Sequence, residues 1–391
     1  ERDHRYGLDE RARRAVQVSF DLADPPGVSR WFVHCPGLKK RHGFHGAPMI
    51  LNATDSLVVM LMAFRRGSAR VFDYFVYRAG LGKPSLDLIP GPSCPEIGLL
   101  LKQEVGVVPC GAGGEHYALA FLVLQLKPRV AYDVHVFSSE TRAWSVKAAK
   151  VAADPETTCR YHDVVMHSPS KAVAAGGGSL AWIDLWRGIL QCNVLDEDPV
   201  LRLIPWPVPS PRDEILGMCS AHSIRDATLS NGVVRFVDLK FDDDDGASVY
   251  PYSSGDATCT GWTATVWERS ISSKDWNRRF KADIASILAT DSSHSDSLRE
   301  VWDDEAKKRG LSKVSSAPPT LSLGDEEVVY FMANLVSNEA LVLAVNAREE
   351  RLEAVGQTAL GLACSTCNFP RFLDSSQHSP IERADSIAPV L

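Results

Sequence analysis

Six times along the chain a short apolar strand runs into a polar turn and out into a second strand that opens on an apolar residue. The turn centres are Pro25, Gly82, Glu140, Glu197, Ser272 and Glu349, and the apolar openings are Val28, Leu86, Trp144, Val200, Trp276 and Leu352. Successive centres lie 57, 58, 57, 75 and 77 residues apart. The two long intervals hold insertions, the acidic stretch Asp242 to Ala257 and the polar stretch Ala289 to Ala317, so the underlying period is near constant. The two most similar copies run Phe137 to Trp144 and Trp267 to Trp276. A repeat of this length made of strands predicts a β-propeller, whose blades typically take about 40 to 50 residues before loop insertions. A four-stranded blade is apolar on both faces and is not stable alone. Stacking blades in a closed ring buries each face against a neighbour. Six hairpins predict six blades; an array of two-sheet β-sandwiches is the competing arrangement.

The rest of the pattern agrees with an all-β chain. Runs such as Leu57 to Phe64, Tyr117 to Leu124, Val130 to Phe137, Leu180 to Leu185, Val233 to Leu239 and Gly261 to Trp267 are rich in β-branched and aromatic residues and are bounded by Gly, Pro, Asp, Asn or Ser. One short helix is expected at Ser297 to Arg309 (SLREVWDDEAKKR), with Leu298, Val301 and Trp302 on one side and Gly310 as its stop. The organisation read from these signals is an N-terminal extension over 1–14, one propeller domain over 15–367, and a polar tail without periodicity over 368–391.

Composition narrows the function classes. With 42 Lys+Arg against 49 Asp+Glu the net charge is −7, which provides no global basic field for gathering nucleic acid or anionic lipid. The longest apolar runs have buried-strand length and fall short of the roughly 18 to 20 residues that span a bilayer, so neither nucleic acid nor a membrane is expected as a partner. Nine cysteines at irregular spacing read as reduced, mostly buried thiols of a cytoplasmic or nuclear protein.

One segment, Ser179 to Pro207 (SLAWIDLWRGILQCNVLDEDPVLRLIPWP), stands out, together with Val233 to Leu239, Gly261 to Arg269, Trp276 and Asp325 to Met332. These residues resemble the plant, chiefly grass, family of domain of unknown function 1618, most specifically in WIDLWRGILQCNVLD. The resemblance covers roughly Ala15 to Leu362. It implies kinship with the propellers found behind F-box domains in plant ubiquitin-ligase receptors, although no F-box is present in this sequence. The family brings no catalytic residues to carry over.

No local motif supplies a reaction. Cys364 and Cys367 form a CxxC without the second pair that zinc requires, and His42 and His45 lack carboxylate or Cys companions. Phe241 to Gly246 (FDDDDG) fails as a calcium loop at its first and twelfth positions. The glycine clusters Gly111 to Gly114 and Gly176 to Gly178 complete no phosphate loop. His116, His135 and His222 fall in predicted strands as single core histidines, and Trp182, Trp186, Trp262 and Trp267 read as packing between blades. No GxSxG or HExxH occurs. No metal site, cofactor or catalytic residue is therefore expected. The reading that follows is a non-enzymatic propeller that binds a protein partner through loops on one face of the ring. A candidate binding loop is Trp206 to Ile215 (WPVPSPRDEI), with Trp206, Arg212 and Asp213 as contacts. For Trp206 a second reading, a rigid connector with the indole tucked beneath it, stands beside the first. The alternative function is an enzyme or carbohydrate-binding propeller whose site lies in the central channel.

Overall fold

A computed structural model describes residues 16–36, 44–66, 69–79, 84–90, 105–125, 131–152, 161–209, 220–242, 248–249, 261–298, 302–303, 308–309, 314–335 and 339–358. The chain opens with an antiparallel hairpin, β1 (Gln17–Asp21) and β2 (Arg30–His34). Blade 1 follows as β3 (Met49–Thr54), β4 (Leu57–Arg66), β5 (Ala69–Arg78) and β6 (Ser85–Ile89). Blade 2 is β7 (Gly106–Cys110), β8 (His116–Gln125), β9 (Ala131–Ser138) and β10 (Ala143–Val151). After a short helix, α1 (Tyr161–Val165), comes blade 3: β11 (Lys171–Gly176), β12 (Ser179–Asp184), β13 (Gly188–Asn193) and β14 (Val200–Ile204). Blade 4 is β15 (Arg225–Ser230), β16 (Val233–Asp242), β18 (Gly261–Ser270) and β19 (Asn277–Asp283), with the two-residue β17 (Ser248–Val249) paired onto the end of β16. Helix α2 (Ile284–Thr290) and a small hairpin, β20 (Trp302–Asp303) with β21 (Lys308–Arg309), lead to blade 5. Its inner strand is broken into β22 (Val314–Ser316) and β23 (Pro319–Leu321), and β24 (Val328–Leu335), β25 (Ala340–Asn346) and β26 (Arg351–Thr358) complete it.

The molecule is thus a β-propeller, and every one of the six predicted turn centres falls between the last two strands of a blade or between β1 and β2. The strand order explains the composition of each strand. In β12, Leu180 and Trp182 face blade 2 while Ala181 and Ile183 face blade 4, so a strand in mid-blade needs apolar residues at every position. In β16, Val234 and Phe236 face blade 3, and Val237 and Leu239 face blade 5. Outer strands carry polar residues because one edge meets solvent: β10 (AWSVKAAKV) and β19 (NRRFKAD) are largely exposed or half-buried.

Apolar clusters fill the spaces between consecutive blades. Trp31 of the hairpin packs with Met60, Phe64 and Phe75 of blade 1; Val59 and Val76 of blade 1 meet Leu119 and Phe121 of blade 2; Val134 of blade 2 meets Trp182 and Leu190 of blade 3. Ile183 and Ile189 then meet Leu229 and Phe236, and Trp262 and Val266 meet Phe331 and Leu343 of blade 5.

A second repeated contact staggers the outer strands, so that the end of one meets the start of the next. The Trp144 indole donates to the Pro90 carbonyl at 2.6 Å, and that of Trp276 donates to the Pro205 carbonyl at 2.9 Å. Trp144 and Trp276 hold equivalent places, as their sequence context predicts, but both are half-buried because they sit at the rim. Between blades 2 and 3 the same stagger becomes a short parallel pairing of Lys150 and Val151 with Val200 and Leu201.

Two expectations are corrected, and a third falls partly outside the described residues. The helix expected at Ser297 to Arg309 is absent where that segment is described: Trp302 pairs with Arg309 and Asp303 with Lys308. Its apolar residues crowd into the first turn, which leaves DDEAKKR with nothing to bury, and an isolated helix of this length is marginal without packing. Helix forms instead in α2, where Asp283 accepts from the Ser286 N–H at 3.0 Å and Ile284, Ile287 and Leu288 are buried. His222 lies in a 3₁₀ turn, Ala221–Ser223, and not in a strand. Finally, Val16 to His34 was expected to share a sheet with Leu352 to Cys364. Over the described part, β26 pairs with β25, while β1 pairs with β2. The two regions do touch, since a Cβ on Gly356 would lie 2.9 Å from the Pro26 carbonyl oxygen. Residues beyond Thr358, like the 1–14 extension and the 368–391 tail, lie outside the described residues.

Candidate functional site

The inner strands β3, β7, β11, β15 and β23 surround the axis, and two polar side chains tie them together. Asn52, on β3, donates its amide to the Ala172 carbonyl at 2.6 Å and the Val105 carbonyl at 3.2 Å, which links blades 1, 2 and 3. Asp226, on β15, accepts from Lys171 Nζ of β11 at 2.5 Å and from the Leu321 backbone N–H of β23 at 2.9 Å, which links blades 3, 4 and 5. Both side chains are buried, so each satisfies backbone or charged groups that would otherwise be stranded in the ring's core. These groups do structural work, and sequence reading singled out neither Asn52, Lys171 nor Asp226. Their partners lie 53 to 120 residues away in sequence.

A second cluster surrounds the WIDLWRG turn between β12 and β13. Asp184 Oδ1 accepts from the backbone N–H of Trp186 at 2.8 Å and of Arg187 at 3.1 Å, and Oδ2 accepts from Ser168 N–H at 2.8 Å. Gly188 closes the turn at φ +130°, and a Cβ there would lie 2.3 Å from the Ile204 carbonyl oxygen. His167 donates Nε2–H to the Gly188 carbonyl at 3.2 Å, and burial, outweighing the nearby Asp184 carboxylate, lowers its pKa to about 4. The imidazole is therefore neutral at pH 7. Arg225 of blade 4 reaches into this turn. It donates to Asp238 at 2.7 Å, to the Leu185 carbonyl at 3.2 Å and to the Pro209 carbonyl at 3.3 Å, and its guanidinium lies 4.9 Å from the centre of the Trp186 ring. A buried guanidinium with this many partners is held as a fixed strut between blades 3 and 4.

Trp206 belongs to that strut. It is 7 % exposed, its indole donates to the Asp184 carbonyl at 2.8 Å, and its ring stacks on Phe236 at 4.4 Å and 13°. Of the two readings offered for Trp206, the tucked connector describes its position. Arg212 and Asp213 lie outside the described residues. The tryptophans expected between blades occupy such places: Trp182 and Trp262 are fully buried, Trp186 is buried under Arg225, and Trp267 packs against the cluster between blades 3 and 4. His135 stacks on Phe121 at 4.9 Å in the core, and burial lowers its pKa.

The remaining motifs resolve as turns where they are described. Gly176, Gly177 and Gly178 all take positive φ in the β11–β12 turn, and the Glu115 carboxylate accepts from the Gly113 N–H at 2.8 Å in the β7–β8 turn. Among the described residues no group of three or more His, Cys, Asp or Glu is placed to hold a metal ion. Cys35, Cys110 and Cys192 are free thiols, and burial raises all three, Cys35 to about 11 and Cys192 to about 12. Protonated thiols of this kind are poor nucleophiles at pH 7. The segments with His42, Asp243 to Gly246, Cys364 and Cys367 lie outside the described residues. No helix among the described residues is long and apolar enough to cross a membrane.

The two ends of the ring differ. Because neighbouring strands run antiparallel, links from first to second and from third to fourth strand emerge at one end, and the others at the opposite end. The first end carries short turns such as 55–56, 111–115, 177–178, 231–232 and 347–350. At the opposite end the chain leaves one blade and enters the next, and the described parts of those longer connections include α1, 205–209, 220–224 and α2. The Trp206 to Ile215 segment lies within one of these links.

Residues 182–330 match the family model described as protein of unknown function (DUF1618). The DUF1618 match begins at Trp182, in the second strand of blade 3, and ends at Tyr330, in the second strand of blade 5, so it spans two blade lengths displaced from the blade boundaries. Its opening is the Asp184 turn, which makes the most specific part of the resemblance a scaffold feature. No curated protein matches the chain. Among solved structures, a chain of a mitotic checkpoint complex is similar at 10 % identity and TM-score 0.30, covering 88 % of this chain and 75 % of that one. The WD40 domain of SCAP from fission yeast is similar at 8 % identity and TM-score 0.30, covering 85 % and 72 %. The β-propeller domain of the Trilobed protease from Pyrococcus furiosus is similar at 9 % identity and TM-score 0.26, covering 83 % and 100 %. Scores this low carry no argument about function, and the propeller assignment stands on the strand topology.

Proposed function

We propose that this propeller is a non-enzymatic module that binds a protein partner through the end of the ring that carries the long connections. The observation that carries this reading is the one-sided placement of those connections. Adjacent strands of one blade need only tight turns, as the opposite end illustrates, and in repeat folds the added loops of successive units gather on the binding face. The polar groups described at the axis support the same reading, because Asn52, Lys171 and Asp226 are engaged in joining blades. The proposed partner contacts include Arg212 and Asp213, and the proposed setting is the cytoplasm or nucleus, where thiols stay reduced.

The test is affinity purification from native tissue, with mass spectrometry of the recovered proteins. Three forms are compared: the parent chain, a form with Arg212→Ala and Asp213→Ala together, and a control with Glu140→Ala and Glu349→Ala on the short-turn end. A stoichiometric protein partner that the control retains and the double variant loses, with unchanged thermal melting, is the expected result. Recovery of the same partners by the double variant would remove that link from the interface. Loss by the control alone would place binding on the opposite end.

A further inference from the structure

The Gly261 to Arg269 segment ends in two buried donors that no acceptor meets. Trp267 and Arg269 stand two positions apart on β18, so their side chains leave the strand on one face. Trp267 lies opposite Phe236 and Arg269 opposite Val234, and both of those partners belong to the apolar cluster between blades 3 and 4. The shared face is therefore the one turned toward blade 3. Arg269 is 8 % exposed, and its guanidinium carbon lies 5.8 Å from the centre of the Trp276 ring. Arg269 Nε and Trp267 Nε1 are both buried, and neither has a hydrogen-bond acceptor among the described residues.

Elsewhere in the same interface the chain supplies such acceptors itself. Arg225, also turned toward blade 3, is met by the Asp238 carboxylate and the Leu185 and Pro209 carbonyls, while the indoles of Trp206 and Trp276 donate to the Asp184 and Pro205 carbonyls. A buried guanidinium or indole N–H left unpaired loses its hydration without compensation, so an acceptor that arrives from outside recovers free energy at Arg269 and Trp267 that the chain alone does not. Burial lowers the pKa of Arg269, and Asp275 in the following turn partly offsets this. One guanidinium with a carboxylate nearby carries little net charge, which suits a monoanion better than a phosphate dianion. The approach is from the rim, where Trp267 is only half-buried and Ser270, Ser272, Lys274 and Asp275 are exposed.

We propose that Arg269 and Trp267 form a recognition site for a carboxylate, carried by a small organic acid or by an Asp or Glu side chain of a bound polypeptide, between blades 3 and 4 at the short-turn end of the ring. A flat carboxylate takes parallel N–H bonds from the edge of a guanidinium, and the indole N–H on the same face supplies a further donor. The Trp276 ring beside the guanidinium holds it in place. This site is separate from the partner surface at the opposite end of the ring, and neither depends on the other.

The test is nuclear magnetic resonance on the isotope-labelled full chain, titrated with sodium acetate at constant ionic strength and, separately, with sodium chloride. The Trp267 indole and Arg269 Nε–H signals are followed, assigned through Trp267→Phe and Arg269→Gln. Expected are saturable shifts of both signals with acetate and none with chloride. Acetate binding should weaken at least about tenfold in Arg269→Gln, read from the Trp267 signal. Trp267→Phe, which keeps an aromatic ring in place, should weaken it as well, read from the Arg269 signal, and provides the answer if Arg269→Gln does not fold. A blocked pentapeptide with a central Glu, compared with its Gln counterpart, separates the two sources: binding of the Glu peptide alone assigns the carboxylate to a polypeptide, and refusal of both beside acetate binding assigns it to a small acid. Signals that do not respond to acetate, that respond equally to chloride, or that titrate unchanged in the folded variants overturn the proposal.

Discussion

Replacing Trp206 with Ala decides whether this residue holds the ring together or meets a partner. The side chain is 7 % exposed, stacks on Phe236 at 4.4 Å, lies 5.8 Å from the Trp276 ring, and donates to the Asp184 carbonyl at 2.8 Å. Removing a buried aromatic of this size costs about 3 to 5 kcal/mol. The Asp184 carbonyl keeps the Arg187 N–H as a donor at 3.2 Å, so loss of the indole N–H adds little to that range. A chain of this size unfolds with an entropy of about 2.1 cal/mol/K per residue, so the roughly 350 residues of the ring give about 0.7 kcal/mol/K and a fall in Tm of about 4 to 7 °C. Trp206→Phe, which keeps a stacked ring but loses the indole N–H, should recover most of that loss and leave a deficit of about 1 kcal/mol. Calorimetry with far-ultraviolet circular dichroism checks both variants. A Tm within one degree of the parent for Trp206→Ala, accompanied by loss of the recovered partner, would refute the structural role and restore Trp206 as an exposed contact.

Gly188→Ala should cost at least about 1 to 3 kcal/mol for the positive φ alone, with more because the new Cβ meets the Ile204 carbonyl; chemical denaturation measures it. Asn52→Ala leaves two buried carbonyls without their donor and should destabilise by about 2 to 4 kcal/mol, whereas a neutral result would show that the axis is open to water. His167 takes up a proton more readily when unfolded, near pH 6.5, than when folded, near 4. Its contribution to stability is therefore present above pH 6.5 and is lost as the pH falls from there toward 4. His167→Gln should flatten that part of the stability profile, and an unchanged slope would assign it to other groups.

The six hairpins were legible in the sequence because a hairpin is a local object. Its turn residues, its alternation and the apolar residue that reopens the strand all lie within a dozen positions, and near-constant spacing then leaves a ring as the way to bury both faces of each blade. The glycine clusters were legible as turns for the same reason. The DUF1618 segment was visible as a motif, yet only the folded chain reveals that Asp184 caps the turn and that Gly188 must be glycine. Tertiary structure alone decided the contacts between blades. Asn52 meets Ala172, and Asp226 meets Leu321 95 residues further on, through inner strands that no local pattern brings together. It also decided the fate of ambiguous segments. The helical pattern at Ser297 to Arg309 gives way to the pairing of Trp302 with Arg309 where that segment is described, while Ile284 to Thr290 became helix because blades 4 and 5 offer a surface for Ile284, Ile287 and Leu288. Local chemistry sets which strands and turns form, and the burial available between blades sets which side chains become struts and which remain exposed.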